Sequence, residues 1–228
     1  MSEFCTLIVS DIHLGSPVSR AEALSALLRE HTFQRLILLG DVFENLKFDR
    51  LHPAHWELVR TIQALSKASS EVEVVWIEGN HDEGLCRRGM ELLGQPVLEA
   101  FAWEAGGTKF VALHGHQFDS LVAERPLLTE VGSHLNQALQ KLDHRDLRLS
   151  RWAKRMSKKL SGQSAKVAEK ATAYGQEQRA DYVFCGHTHL AMTAQAGSVR
   201  YINTGCWTDI PSTFVGITNQ DVHLIPVE

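Results

Sequence analysis

No apolar run in this chain approaches the roughly 18 residues that a membrane-spanning helix needs, so no spanning helix is expected. Cysteine is scarce. Cys5, Cys86, Cys185 and Cys206 show no close pairing, which excludes a disulfide scaffold and a thiolate zinc site. Reduced, mostly buried thiols are the reading that remains, with Cys206 as a small buried hydrophobe. There is no internal repeat and no low-complexity tract. The opening residues, Ser2-Glu3-Phe4, lack the basic region, apolar core and cleavage site of a signal peptide, so a cytoplasmic location is expected. Aromatic residues make up only 7% and supply no clear base-stacking platform, which ranks nucleic acid low among partners. What is present is 44% hydrophobic residues over 228 positions, enough for one α/β domain with a substantial core.

Five short apolar runs share one kind of ending. Leu7-Ile8-Val9-Ser10 leads to Asp11-Ile12-His13, and Leu36-Ile37-Leu38-Leu39 leads to Gly40-Asp41. Val74-Val75-Trp76-Ile77 leads through Glu78 to Gly79-Asn80-His81-Asp82. Phe110-Val111-Ala112-Leu113 leads to His114-Gly115-His116, and Tyr182-Val183-Phe184-Cys185 leads to Gly186-His187-Thr188-His189. Such runs suit strands buried on both faces. Ligands of open α/β sheets bind at the carboxyl ends of strands, and there these five deliver Asp, Asn or His. Glycines at 40, 79, 115 and 186 let the backbone turn sharply and leave room for ions. Taken singly, each ending is turn chemistry. Jointly, five separate loops would have to imitate ligands by chance. Imidazole, carboxylate and one amide oxygen, with no thiolate, suit Mn²⁺, Fe²⁺, Zn²⁺ or Co²⁺. Two such ions about 3.5–4 Å apart clamp a phosphoryl group and activate a bridging water.

The ordered set Asp11-x-His13, Gly40-Asp41, Gly79-Asn80-His81-Asp82, His114-Gly115-His116 and Gly186-His187-x-His189 resembles the calcineurin-like metallophosphoesterase superfamily. The resemblance implies a two-sheet β-sandwich flanked by helices. It implies that Asp11, His13, Asp41 and His189 hold one ion. Asp41 would bridge to a second, held also by Asn80, His114 and His187. Manganese is the expected metal, with iron, zinc and cobalt as alternatives. His81 would face the substrate phosphate as general acid or charge stabiliser. Asp82 would orient His81, and His116 would support the site from behind the ligands.

The protein-phosphatase branch carries an arginine soon after its Gly-Asp and a glutamate after Asn-His. Here Gly40-Asp41-Val42-Phe43-Glu44-Asn45 has no arginine and Asp82 follows His81, which argues against a phosphoprotein phosphatase. Gly40-Asp41-Val42-Phe43-Glu44, His114-Gly115-His116-Gln117-Phe118-Asp119 and Asn203-Thr204-Gly205-Cys206-Trp207 are similar to the UDP-2,3-diacylglucosamine hydrolase branch. That branch cleaves a sugar-nucleotide pyrophosphate in lipid A synthesis. It often has arginine where His81 stands and aspartate where His116 stands.

Between the ligand loops, Leu24, Leu27 and Leu28 predict a helix over Ala21 to Arg29. Trp56, Val59, Ile62 and Leu65 predict a second helix behind Pro53. Val199 to Ile202, Phe214 to Ile217 and Val222 to Val227 read as strands with no helix between them, which predicts a second sheet. From 121 to 178 helix formers dominate, and the stretch reads as a helical insertion or cap within a single domain of residues 1–228. Residues 141–170 carry ten basic and three acidic side chains, a net +7 in a chain of net −4, leaving −11 on the remainder. Leu149, Trp152, Met156 and Leu160 form an apolar stripe there, set among cations that include Arg151, Lys154, Lys158 and Lys159. These four are the candidate substrate-binding cations, and the stripe is a candidate for peripheral contact with a membrane. The simpler reading is a solvated basic face packed through Trp152. The sequence thus predicts a binuclear metallophosphoesterase for a phosphorylated small-molecule or lipid-linked substrate, with a sugar-nucleotide pyrophosphate first among them. The alternatives are a nuclease or cyclic-nucleotide phosphodiesterase, and a metal-binding scaffold without chemistry.

Overall fold

Successive residues in the apolar runs serve two different cores, and that alternation builds the molecule. A computed structural model describes residues 3–45, 48–67, 71–83, 91–92, 95–119, 162–219 and 221–228. Along the chain lie β1 (Glu3–Val9), α1 (Ala21–Glu30), β2 (Thr32–Leu39), α2 (Pro53–Leu65), β3 (Glu73–Ile77), β4 (Glu91–Leu92) and β5 (Gln95–Leu98). There follow β6 (Ala100–Ala105), β7 (Thr108–Leu113), α3 (Gln163–Glu177), β8 (Tyr182–Cys185), β9 (Met192–Ala196), β10 (Val199–Asn203), β11 (Ser212–Ile217) and β12 (Val222–Val227). One sheet has the order β12-β11-β1-β2-β3-β5-β4 and the other β6-β7-β8-β10-β9. Strands β1, β2, β3 and β5 run parallel, as do β7, β8 and β10.

Leu7 and Val9 of β1, Leu36 and Leu38 of β2, and Val74 and Trp76 of β3 share a core with Leu24, Leu27 and Leu28 of α1 and Leu58 and Ile62 of α2. Their neighbours Ile8, Ile37, Leu39, Val75 and Ile77 pack instead with Phe110, Ala112, Phe184 and Ile202 of the second sheet. Beyond that sheet, Val111, Leu113, Val183 and Cys185 meet Ala168 and Ala171 of α3. The layers are therefore helix, sheet, sheet, helix. Each fully buried Leu, Ile or Phe contributes about 1.5–3 kcal/mol. Between the sheets Trp103 stacks on Phe110 at 5.0 Å, and Phe110 stacks on Tyr182 at 5.5 Å and on Phe184 at 6.1 Å. Arg35 of β2 lies 5.4 Å over the ring of Phe101 and 5.6 Å over Trp103, so a cation–π contact ties one sheet to the other.

The helices follow their sequence signals with one exception. In α1, Glu22 sits in the first turn and Arg29 in the last, each complementing the helix dipole. In α2, Pro53 opens the helix, where its missing N–H costs nothing. Trp56, expected on the buried stripe, is instead 40% exposed, and His55, Leu58 and Ile62 take the inner face.

The strand-only tail also departs from expectation. Only β10 joins the second sheet, parallel to β8. Strands β11 and β12 return to the first, with β11 antiparallel to β1 and β12 antiparallel to β11. Every residue of β11 is buried, so its apolar run carries no mark of which sheet it joins. Edge strands β6 and β9 are half exposed and lack a continuous apolar signal. Of the expected insertion, residues 121–161 lie outside the described residues, and with them Arg151, Lys154, Lys158 and Lys159. Its last part is α3, which covers the second sheet. Cys5, Cys185 and Cys206 are free thiols, the latter two buried, while Cys86 lies outside the described residues. No helix among the described residues is long and apolar enough to cross a membrane.

Helix α3 approaches the sheet through Gly175, where an added methyl would overlap Val183 and come within 2.8 Å of Val199 Cγ1. Helix propensity favours alanine over glycine by about 1 kcal/mol, whereas overpacking costs about 1–3 kcal/mol. Gly175→Ala is therefore expected to lower the urea midpoint, with a net loss of up to about 2 kcal/mol. An unchanged or raised midpoint would contradict the close approach.

Candidate metal centre

Strands β1, β2 and β3 are neighbours in one sheet, and β7 and β8 in the other. Their carboxyl ends meet at one edge of the sandwich, where the loops are cross-linked through the backbone. Asp11 N–H donates to Gly40 O at 3.1 Å, His13 N–H to Asp41 O at 3.0 Å, Gly186 N–H to His114 O at 2.9 Å and Trp207 N–H to Asp11 O at 3.0 Å. Six described non-glycine residues have positive φ, and five of them are Asp11, His13, Asp41, His187 and His189, at 50–63°. Such backbone costs about 1–3 kcal/mol per residue and persists only where surrounding structure over-determines it. The glycines serve two ends. Gly40 and Gly115 take positive φ. Gly79 and Gly186 instead clear space, because a Cβ there would overlap the carboxylates of Asp41 and Asp11.

Each of those carboxylates is divided between scaffold and site. Asp11 Oδ2 accepts from Ser10 Oγ at 2.5 Å and from His187 N–H at 3.0 Å. Its Oδ1 lies 3.0 Å from His189 Nε2 and 3.9 Å from His13 Nε2. Asp41 Oδ1 accepts from His81 N–H at 2.9 Å. Its Oδ2 lies between His114 Nε2 at 3.3 Å and His13 Nε2 at 3.7 Å. His13 Nε2 and His189 Nε2 are 3.2 Å apart. Ligand atoms of Asp11, His13, Asp41 and His189 all lie within 4.8 Å of one another. The structure thus brings together the four residues expected to hold one ion.

The other expected ligands assemble beside them around Asp41. His114 Nδ1–H donates to the Leu39 carbonyl at 2.9 Å, which directs Nε2 at Asp41. His187 presents Nε2 to Asp119 Oδ2 at 2.9 Å and Nδ1 to Asn80 Oδ1 at 2.8 Å. With Nε2–H donated to the carboxylate, Nδ1 of a neutral His187 is a lone pair facing an amide oxygen. Two electron-rich atoms that close need a cation between them, a proton on the ring, or the Asn80 amide turned so that its N–H donates to Nδ1.

The electrostatics agree. Burial opposes a charge on Asp11, but His189 beside it outweighs burial and holds the carboxyl well below the usual carboxylate range. Burial is likewise overcome at Asp41 by His114. His114, against its own burial, is pushed up to about 10 by Asp41. Asp11 Oδ1 and His114 Nε2 are buried yet form no hydrogen bond, although oppositely charged groups lie 3.0 and 3.3 Å away. Orphaned atoms converging with carboxylate, imidazole and amide donors fit a divalent metal.

His81 stands at the rim, its ring 4.8 Å from that of His13 and perpendicular to it. Its Nδ1–H donates to the Glu44 carbonyl at 2.8 Å. Asp82 does not orient it, contrary to expectation. Both Asp82 oxygens are taken by backbone, Oδ1 by Gly79 N–H at 2.6 Å and Oδ2 by Val42 N–H at 3.1 Å. Asp82 therefore staples the β2 loop to the β3 loop, and burial followed by the charge of Asp41 raises its carboxyl to about 6. The His116 ring lies 5.5 Å from that of His114 and 6.4 Å from that of His187. Burial, then the charges of those two rings, brings it down to about 4.

Three supporting residues escaped the sequence reading. Glu44 Oε2 lies 2.9 Å from His13 Nδ1, so one residue fixes His13 by its side chain and His81 by its carbonyl. Asp119 holds His187. Asn203 donates to Gly186 O at 2.6 Å and to Thr188 Oγ1 at 3.1 Å, and accepts from Gly205 N–H at 3.0 Å, bracing the His187–His189 loop. All three stand inside sequence strings that carried the family resemblance, but their partners are distant in sequence.

Solved structures share this architecture. The chain is similar to an archaeal phosphodiesterase (17% identity, 97% of this chain and 99% of that one covered, TM-score 0.51). It is similar to YfcE, a phosphoesterase from E. coli (16% identity, 98% and 99% covered, TM-score 0.51). It is similar also to Vps29 of Chaetomium thermophilum (10% identity, 97% of each chain covered, TM-score 0.51). Identities this low carry the fold and nothing finer. No curated protein matches the sequence. The profile of the Calcineurin-like phosphoesterase superfamily domain matches residues 5–218, nearly the whole chain and every ligand loop. Fold, loop order and sequence profile thus agree: the chain belongs to the calcineurin-like phosphoesterase superfamily.

Proposed function

We propose that the protein is a binuclear metal-dependent phosphohydrolase, with manganese as its metal and a sugar-nucleotide or lipid-linked pyrophosphate as its substrate. The observation that carries the hydrolase reading is the convergence of seven ligand-type side chains, from five loops of two sheets, around the divided carboxylates of Asp11 and Asp41. A binding scaffold has no need of so complete a set. Two divalent ions bound there supply a water acidic enough to act as nucleophile at neutral pH and a positive charge that neutralises phosphoryl oxygens. Asp11, His13 and His189 would hold one ion and Asn80, His114 and His187 the other, with Asp41 available to both. The Glu44 carbonyl accepts from Nδ1–H of His81, which leaves Nε2 as the ring atom that would face a substrate. His81 is the candidate that would donate a proton to the leaving oxygen or stabilise the developing charge.

Support for the substrate comes from Gly40-Asp41-Val42-Phe43-Glu44, His114-Gly115-His116-Gln117-Phe118-Asp119 and Asn203-Thr204-Gly205-Cys206-Trp207. The net +7 of residues 141–170 suits a phosphorylated substrate, and their apolar stripe suits peripheral contact with a membrane from the cytoplasmic side.

His81→Ala is expected to lower kcat on UDP-2,3-diacylglucosamine by roughly 10²–10⁴-fold with metal content unchanged. Undiminished turnover removes His81 from the mechanism. Activity confined to a simple phosphodiester, a cyclic nucleotide or nucleic acid removes the sugar-nucleotide substrate. Chelation should abolish hydrolysis, and Mn²⁺ or Co²⁺ should restore it better than Ca²⁺, because imidazole donors suit the former. Full activity after exhaustive chelation, verified by elemental analysis, contradicts the metal reading.

A further inference from the structure

The two halves of the centre are anchored in different ways. Around the first ion's ligands the supports come from the ligand loops themselves. Ser10 and the His187 amide hold Asp11, the His81 amide holds Asp41, and Glu44 holds His13. In the second half the His187 ring is set by Asp119. Asp119 belongs to no ligand motif and is itself held from outside the ligand loops. The amide of Gln163, at the start of α3, donates to the same Asp119 oxygen that receives His187. Two further contacts from α3 seat the short 3₁₀ turn His116–Phe118 that precedes Asp119. Lys170 Nζ donates to Phe118 O at 3.1 Å, and the rings of Phe118 and Tyr174 lie 5.7 Å apart. Gln163, Lys170 and Tyr174 fall on one face of the helix. Asp119 and Gln163 stand on either side of residues 120–162 in the sequence, and their contact is made at the carboxylate that holds His187, an expected metal ligand.

We infer that Asp119 is the positioning residue for the second metal ion, and that Gln163 makes this positioning depend on how α3 is seated. This rests on the binuclear reading above. A carboxylate on the far nitrogen of a ligating imidazole fixes its tautomer and raises its basicity. With Nε2–H donated to Asp119, His187 directs its Nδ1 lone pair into the gap before Asn80. Without that acceptor the ring is free to exchange its proton and rotate. The ligands of the first ion do not use Asp119, so the two ions differ in what they depend on.

The test is Mn²⁺ titration of the full chain, followed calorimetrically and by electron paramagnetic resonance, which separates isolated from spin-coupled manganese. The unmodified protein is expected to take up two ions and to develop a coupled-pair signal. Asp119→Ala should weaken the second binding event about 10–100-fold, leave the first unchanged, and shift the spectrum towards isolated manganese. Asp119→Asn keeps an acceptor at the same place and should recover part of the loss. Gln163→Ala, at a residue that touches no expected ligand directly, should weaken the second event in the same direction to a smaller extent, which keeps the inference open to test even if Asp119→Ala does not fold. Two binding events unchanged in both Asp119→Ala and Gln163→Ala would overturn the inference and leave the binuclear reading intact. Equal weakening of both events would also overturn it. An unmodified protein that never takes up a second ion would overturn both.

Discussion

Two buried carboxylates within one pocket are the constraint on which the rest of this structure depends. Each buried charge carries a desolvation penalty of several kcal/mol unless it is compensated. Asp11 and Asp41 meet that cost in the same way. One oxygen of each is satisfied by the protein's own donors, and the other is left to imidazoles. Without the histidines or a cation, two like charges lie buried in one pocket. Nearly every local feature of the five loops serves to hold this arrangement: glycines that leave room for the carboxylates, backbone amides that point at them, and Asp82 stapling two loops together.

That arrangement is strained, and the strain is concentrated. Five residues of the candidate site sit in left-handed backbone conformation. Stabilisation comes from elsewhere, chiefly the paired cores on either side of the first sheet and the aromatic stack between the sheets. The division of labour is physical: parallel strands buried on both faces fix where the chain stops, and the loops then spend part of that stability on geometry.

Much of this could be read from the sequence, for identifiable reasons. Strands β1, β2, β3, β7 and β8 each contain an apolar run, and although each ending alone is turn chemistry, five such endings together are not explained by turns. Local signals reported them well. What stayed hidden was long-range. That β11 pairs with β1, that Asp119 meets His187 and that Glu44 meets His13 are facts about the folded chain, and no spacing announces them. Asp82 was legible as a residue near the site but not in its job, because whether a carboxylate turns to a neighbouring ring or to the backbone of the next loop depends on how two strands register. Trp56 shows the opposite failure, a helical stripe rotated by one position because His55 took the inner place.

The inter-sheet stack has a bearing on the chemistry that its distance from the centre conceals. Asp11, Asp41 and Asn80 ride on one sheet, His114, His187 and His189 on the other. Each ion's expected set draws on both sheets, so the spacing of the ligand-type side chains within either set is a dimension of the whole sandwich. Trp103, Phe110, Phe184 and Tyr182, with Arg35 reaching across from β2, act as its spacer. Close-packed interiors have low compressibility and transmit displacement rather than absorb it. A slip of one sheet along the other, well short of unfolding, would register first as a change in the spacing within each ligand set, making the hydrophobic interior a gauge for the polar rim.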